Sequence, residues 1–206
     1  MIVFKGFNSS MTCTMGKGAF KYRIGRKATA QEAKTARTGL HSTREPFGIL
    51  RYYGNHGKDT YCICEAGGDI NEDADGRVSS TELTPIKKLT PQELAIYEGL
   101  FIQKHPDISR ERFKETETDN GFYAIARGKN PTAKGKKGTV LILLQENASN
   151  RKIKKMEIFE IDGQSCKAGW YGIGGRIDDK REIEEAPGVK GNTGNHRQGV
   201  KGLPGI

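Results

Sequence analysis

Short apolar segments alternate with glycines in the N-terminal third of the chain. The segments MIVFKGF and AFKYRIG combine β-branched or aromatic residues with a closing glycine, which predicts two strands. The segment DTYCICEAGG alternates Tyr61, Ile63 and Glu65 with Cys62 and Cys64, which predicts another strand. The intervening ATAQEAKTAR favours a helix by composition but lacks apolar periodicity, so a solvated connector is an equal interpretation.

Two segments carry helix-start signals. Pro46 suits a first helical position, and the helix it would begin places Phe47, Leu50 and Tyr53 on one side. The sequence TPQE at residues 90–93 is the clearer signal. Its threonine can cap a helix, its proline suits the first turn, and its glutamate can return a hydrogen bond to the cap.

The helix after TPQE is predicted to carry an apolar stripe of Leu94, Tyr97 and Phe101 with the intervening Ile96 and Leu100. A second, more polar helix is predicted at residues 109–117. From Gly121 onward the pattern returns to strands, in the segments GFYAIARG, GTVLILLQEN, IKKMEIFEIDG and GWYGIGG. Five consecutive apolar residues in TVLILLQE favour a central strand buried on both faces.

These elements predict an α+β protein with mixed or antiparallel sheets, a helical insertion and an extended C-terminal arm. We expect an N-terminal α+β half at residues 1–89, a helical insertion at 90–119, an antiparallel β half at 120–186 and a glycine-rich basic arm at 187–206. The arm's composition cannot build a core, which predicts disorder in isolation. Its glycine spacing is interrupted, so a collagen strand is excluded.

Composition and charge narrow the function. The 206 residues carry a net charge of +9, which favours polyanions or acidic protein surfaces as partners, although a merely soluble basic protein is the alternative. The longest apolar run is far shorter than the roughly 20 residues that a membrane span needs. The N-terminus lacks the long apolar core of a secretory signal, so we expect a cytosolic protein without a membrane partner.

Basic residues cluster in two predicted turns of the second half and recur in the arm. We find no stripe of basic and aromatic residues of the kind that marks a groove for single-stranded nucleic acid. The clusters are therefore candidate binding residues for a protein assembly, with nucleic acid as the alternative partner. The candidates are Lys134, Lys136, Lys137, Arg151, Lys152, Lys154, Lys155, Lys190, Arg197 and Lys201.

The four cysteines do not form a metal pattern, because Cys62 and Cys64 are only two positions apart and zinc sites usually pair Cys-x2-Cys units. Buried reduced thiols are the expected state, with a metal or redox role as the alternative.

The acidic segment GGDINEDADGRVSSTEL resembles a calcium loop in composition. Counted from Asp69 it lacks the required glycine and final glutamate, and counted from Asn71 its flanks are not helical. No metal or cofactor is predicted.

The order of short motifs along the chain resembles that in a family of uncharacterised proteins carried by phages and prophages. The shared motifs are Lys-Gly-Phe at residues 5–7, Gly-Leu-His at 39–41, Tyr-Tyr at 52–53, Gly-Asp-Ile at 68–70 and Trp-Tyr at 170–171. The resemblance implies a phage-type origin. It implies no activity.

The segment GLHSTREPFGILRYY is also similar to part of ADP-ribosyltransferase domains. That resemblance implies catalytic candidates at Tyr52 or Tyr53, which would stack on nicotinamide, with His41 at the first aromatic position. The ribose holder would then be Arg23. No glutamate stands in a convincing later motif, although Glu157 and Glu160 lie in a predicted strand. As a structural residue, His41 would instead cap or hydrogen-bond the following helix.

Binding is favoured over catalysis. The leading hypothesis is a phage-encoded accessory protein that docks onto a larger assembly, such as a virion, through its basic surface and arm. It would be located in the host cytoplasm or on the particle. The alternatives are an ADP-ribosyltransferase-like enzyme and a host-directed inhibitor that binds a nucleoprotein complex.

Overall fold

The computed structural model describes residues 1–13, 19–108 and 110–177. The chain begins with β1 (Ile2–Phe7), β2 (Thr12–Cys13), β3 (Phe20–Lys21), β4 (Ala28–Thr29), β5 (Leu40–Thr43), a 3-10 helix (Pro46–Arg51), β6 (Thr60–Glu72) and β7 (Arg77–Leu89). It continues with α1 (Pro91–Lys104), a 3-10 turn (Arg110–Arg112), β8 (Thr116–Thr118), β9 (Tyr123–Gly128), β10 (Thr132–Gly135), β11 (Val140–Glu146), β12 (Ile153–Glu160), β13 (Gly169–Gly172) and β14 (Gly175–Ile177).

The first seven strands are organised around a sheet that closes on itself. The long hairpin of β6 and β7 forms one wall, because the two strands pair antiparallel along most of their length. β1 pairs with β6 on one edge and with β5 on the other, and β5 pairs back to β7, which completes the ring. The interior of this closed sheet is apolar and includes Val3, Phe7, Leu40, Val78 and Leu83.

The second half contains two smaller sheets. One has the order β12-β11-β9 and the other the order β14-β13-β10-β8. We expected antiparallel pairing here, but β11 pairs antiparallel only with β12 and runs parallel to β9, and β8 runs parallel to β10. The chain reaches these parallel partners by alternating between the two sheets, since β10 lies between β9 and β11 in sequence.

The central position of β11 is confirmed. Every residue of Val140–Leu144 is buried, and the side chains alternate between two cores. Ile142 and its even-numbered neighbours contact the core that α1 shares with the closed sheet, whereas Leu141 and Leu143 contact the core between the two smaller sheets. A strand covered on both faces is therefore apolar at every position.

The predicted helix start at residues 90–93 is also confirmed. The Thr90 side chain accepts from the Glu93 backbone N–H, and the Glu93 carboxylate accepts from the Thr90 N–H, which is a complete capping box. The buried face differs from the predicted stripe, because Leu94, Glu98 and Ile102 face the core and Leu100 is exposed. No helix in the described residues is both long and apolar enough to cross a bilayer.

The α+β expectation is wrong, because the fold is mainly β. The predicted helix after Pro46 is a 3-10 helix that ends at Arg51. Within the helix predicted at 109–117, the described residues 110–117 contribute only a three-residue 3-10 turn and the start of β8. Segments this short cannot sustain an α-helix by propensity, since helix nucleation is unfavourable. Among the described residues only α1 is an α-helix.

The expected division into four segments stays a prediction. All strands of the closed sheet lie within residues 2–89, and β9 to β14 lie within residues 123–177. The arm at 187–206 lies outside the described residues.

Close packing of α1 on β11 yields a testable result at Gly99. A Cβ added there would lie 2.7 Å from Ile142 Cγ2 and 3.5 Å from Met156 Sδ. Gly99→Ala should therefore lower the free energy of unfolding, by about 1–3 kcal/mol, in urea titrations, because overpacking strains the core. Leu100→Ala, at an exposed position of the same helix, should change it little. A gain of about 1 kcal/mol from helix propensity alone would contradict the close contact.

Candidate functional site

The four catalytic candidates all lie in the N-terminal half of the chain. His41 lies on β5, with its Nε2 3.4 Å from the Lys34 carbonyl, and burial lowers its pKa. It does not cap the following 3-10 helix, whose cap residue Glu45 makes no side-chain cap. Arg23 is exposed in the turn after β3.

The tyrosine pair divides between surface and interior. Tyr52 is exposed, whereas Tyr53 is partly buried and its hydroxyl donates to Cys13 Sγ at 3.5 Å. The Tyr53 ring also covers Gly6, where an added Cβ would lie 2.5 Å from a ring carbon. These contacts give Tyr53 a packing role.

The first basic cluster surrounds the turn between β10 and β11. Lys134, Lys136 and Lys137 are all exposed, and Lys134 lies over the Trp170 ring at 5.9 Å from the centroid. The turn itself is fixed, because the Thr139 hydroxyl and N–H both donate to the Lys136 carbonyl. The lysines are therefore presented by rigid backbone.

The second basic cluster lies at the β11–β12 hairpin. Arg151 and Lys152 belong to the hairpin loop, and Lys154 and Lys155 begin β12. Among the described residues only Lys155 of this cluster has a carboxylate partner, Glu157 at 2.5 Å. The seven residues of β11 separate the two clusters, by roughly 20 Å, so they do not form one continuous patch. Lys190, Arg197 and Lys201 lie outside the described residues.

The cysteines and the acidic hairpin are explained by packing and turn geometry. Cys62 and Cys64 both face the interior of the closed sheet, and burial raises the pKa of Cys62 to about 12. The Asp73 carboxylate is held by Arg77 Nε at 2.7 Å and by the Asp75 N–H. Among the described residues, no group of three or more His, Cys, Asp and Glu side chains is arranged to hold a metal ion.

Lys5 is a polar side chain that the sequence analysis missed. It lies on β1 between Val3 and Phe7 and faces the interior of the closed sheet, with only 5% of its surface exposed. Its Nζ donates to the His41 carbonyl and lies 5.5 Å and 5.2 Å from the ring centroids of Phe7 and Tyr22. Burial lowers the pKa of Lys5, and Cys13 and Cys64 partly oppose this shift.

A second buried polar group was also missed, at the centre of the buried face of α1. Glu98 is fully buried, and its Oε2 accepts from the Phe47 N–H at 2.9 Å. Arg112 lies 3.6 Å from Glu98 Oε1 and binds the Glu45 carboxylate. Burial raises the pKa of Glu98 to about 8, and the charge of Glu45 adds to the rise. Burial therefore favours the protonated, neutral form of Glu98.

Strand and helix periodicity in the sequence could have predicted that Lys5 and Glu98 are buried. Alternation from Val3 and Phe7 places Lys5 on the inward face of β1. Spacing of four residues from Leu94 and Ile102 places Glu98 on the buried face of α1. Neither pattern identifies the partners, which come from distant parts of the chain.

A cleft of about 310 Å³ lies between the first turn of α1 and the end of β12. Two of its three carboxylates already have partners. Glu93 binds Lys87 and the helix cap, and Asp162 accepts from Ser165, Cys166 and Gln164. These bonds, with the Ser165 hydroxyl foremost, lower the pKa of Asp162 to about 2. The third carboxylate of the lining, Glu160 at the end of β12, is exposed and has no hydrogen-bond or ion-pair partner among the described residues.

The N-terminal half has a counterpart among known families. Residues 1–97 match the family model DUF7666, a domain of unknown function. The matched segment contains the whole closed sheet and the first half of α1, so the second half of the chain lies beyond the match. No curated protein and no solved structure matches the chain.

Proposed function

We propose that this protein is a phage-encoded accessory protein that docks onto a larger assembly, of the virion type, through the basic surface of its second half. The observation that carries the proposal is the exposure of the two basic clusters. Six of their seven members have no carboxylate within 4 Å among the described residues, and only Lys155 is paired.

Unpaired surface cations favour an acidic partner. They raise the rate of encounter with opposite charge and impose a register on the complex, whereas paired cations are largely neutralised. The clusters lie at the two ends of β11, the most deeply buried strand of the second half. Two contact points on one rigid strand would fix the orientation of the docked protein. The arm at 187–206 adds further basic residues to this interaction.

Charge reversal tests the proposal. One double variant of each cluster should associate with purified particles from the protein's source roughly 10-fold more slowly at low salt. The two variants are Lys136→Glu with Lys137→Glu and Arg151→Glu with Lys152→Glu. The measurement is the association rate at about 50 and 200 mM salt, together with cosedimentation of protein and particles.

A matched control has the same net charge as the cluster variants. Lys58→Glu with Lys104→Glu makes the same charge change at exposed positions outside both clusters and should leave the association rate nearly unchanged. Cosedimentation that is indifferent to all three double variants would overturn the proposal. An equal loss in all three would show that only net charge matters.

A further inference from the structure

The segment FKYRIGRK, residues 20–27, concentrates positive charge on the N-terminal closed sheet. It contains Lys21, Arg23, Arg26 and Lys27, and no acidic residue occurs before Glu32. We call residues 20–27 the basic turn. It lies in a different half of the fold from the two clusters of the proposed docking surface.

The backbone of the basic turn brings two arginines together. The Arg26 N–H donates to the Arg23 carbonyl at 3.1 Å, and Gly25 has a φ of 72°, as the third position of a type II turn requires. The Cα atoms of Arg23 and Arg26 are therefore within about 7 Å of each other. The Gly25 N–H donates to the Pro85 carbonyl at 2.8 Å, which anchors the turn to β7.

These positive charges have almost no acidic neighbours. Lys27 is paired with Glu82 at 2.8 Å. Within the described residues, Lys21, Arg23 and Arg26 have no carboxylate within 4 Å. Like charges held close together repel each other, and a bound anion removes that cost. Guanidinium groups bind phosphate by paired hydrogen bonds, so the turn is suited to a phosphate chain.

Exposed apolar side chains lie among these charges. Phe20 is 46% exposed and Ile24 is 43% exposed, and Ile86, beside the anchoring Pro85, is 46% exposed. The Phe20 ring packs on the buried Tyr22 ring in a T-shaped arrangement, with 4.7 Å between the ring centroids, and so is held against the closed sheet while it remains partly exposed. An aromatic face beside phosphate-binding cations is the arrangement that sequence-tolerant single-strand binding uses.

We propose that the basic turn is a binding site for single-stranded nucleic acid. Lys21, Arg23 and Arg26 contact successive phosphates, Phe20 stacks on a base, and Ile24 with Ile86 contacts the neighbouring base or sugar. The site goes beyond the proposed docking function and does not depend on it, because the two use different residues and different halves of the fold.

Fluorescence anisotropy of the full chain with a labelled oligothymidylate of about 20 nucleotides tests this site. Arg23→Glu with Arg26→Glu should weaken binding at least roughly 10-fold at about 50 mM salt and reduce its salt dependence. Phe20→Ala should weaken binding several-fold without altering the salt dependence, because it removes stacking and no charge. A duplex of equal length should bind more weakly than the single strand.

Lys58→Glu with Lys104→Glu is the matched control, since it makes the same charge change at exposed positions outside the basic turn and both basic clusters and should retain most of the affinity. A loss as large as that of the arginine variant would overturn the site in favour of non-specific attraction. No binding of the oligonucleotide by the unmodified protein would overturn it directly. Equal affinity for polyglutamate, with no effect of Phe20→Ala, would assign the turn to an acidic protein instead. Unchanged thermal midpoints verify that the variants are folded.

Discussion

Replacing Lys5 with methionine should raise the free energy of unfolding at pH 7, by about 1–4 kcal/mol. The ammonium group is buried in the closed sheet with one hydrogen bond, to the His41 carbonyl, and no carboxylate within 4 Å among the described residues. Two ring faces compensate only part of the lost hydration. Methionine keeps the length of the side chain and its contacts without the charge.

The gain should depend on pH in a defined direction. The pKa of Lys5 is lower in the folded protein than in the unfolded chain, so the unfolded state binds the proton more tightly. The stability of the unmodified protein therefore rises with pH between the lowered folded pKa and the ordinary value of 10.5. The advantage of Lys5→Met should shrink across that window. Urea titrations at several pH values measure it.

Lys88→Met is the control for this effect, because Lys88 is exposed on β7 of the same closed sheet. It should change the free energy of unfolding by less than about 0.5 kcal/mol. A Lys5→Met variant that is less stable than the unmodified protein at pH 7 would mean that the cation is favourably bound inside the sheet. The burial argument would then be wrong.

The elements that the sequence predicted well are those that local signals define. The capping box at Thr90 is defined within the four residues 90–93, and the uninterrupted apolar run Val140–Leu144 indicates the strand. The helix expected after Pro46 is instead a short 3-10 helix that contacts α1 and β1. Local propensity carries no information about such contacts.

The closure of the N-terminal sheet could not be predicted from local pattern. It depends on the pairing of Phe4 with Thr43 and of Lys5 with Cys62, which join residues far apart in the chain. The same pairings place Lys5 inside. The basic turn is different, because Phe20, Lys21, Arg23 and Arg26 are close neighbours in the sequence and could have been found there. Only the addition of Ile86 depends on the contact of Gly25 with Pro85.

Glu98→Gln should make the protein more stable than the unmodified chain above pH 8, on the order of 2–4 kcal/mol. The pKa of Glu98 is about 8 in the folded state against an ordinary value of 4.5, so the folded state binds the proton more tightly. The contribution of Glu98 to the free energy of unfolding is therefore fully present below pH 4.5, and this contribution is lost as the pH rises through about 8.

The structural reason lies in the neighbours of Glu98. One oxygen accepts from the Phe47 N–H, and the protonated carboxyl can donate to Glu45, whose charge Arg112 balances. Deprotonation leaves two carboxylates and one guanidinium in a buried site. Glutamine reproduces the neutral acid, because its carbonyl accepts from Phe47 and its amide donates to Glu45. The two proteins should accordingly have similar stability near pH 5.

Denaturant titrations from pH 5 to 9 on both proteins measure the difference curve, which cancels the contributions of the other titrating groups. Glu111→Gln is the matched control, because Glu111 is an exposed glutamate next to Arg112 in the chain and should give a flat difference curve. A flat curve for Glu98→Gln as well would show that Arg112 keeps Glu98 ionised across this range. In that case the buried pair would be a salt bridge with Arg112, and the shared proton between Glu98 and Glu45 would not exist.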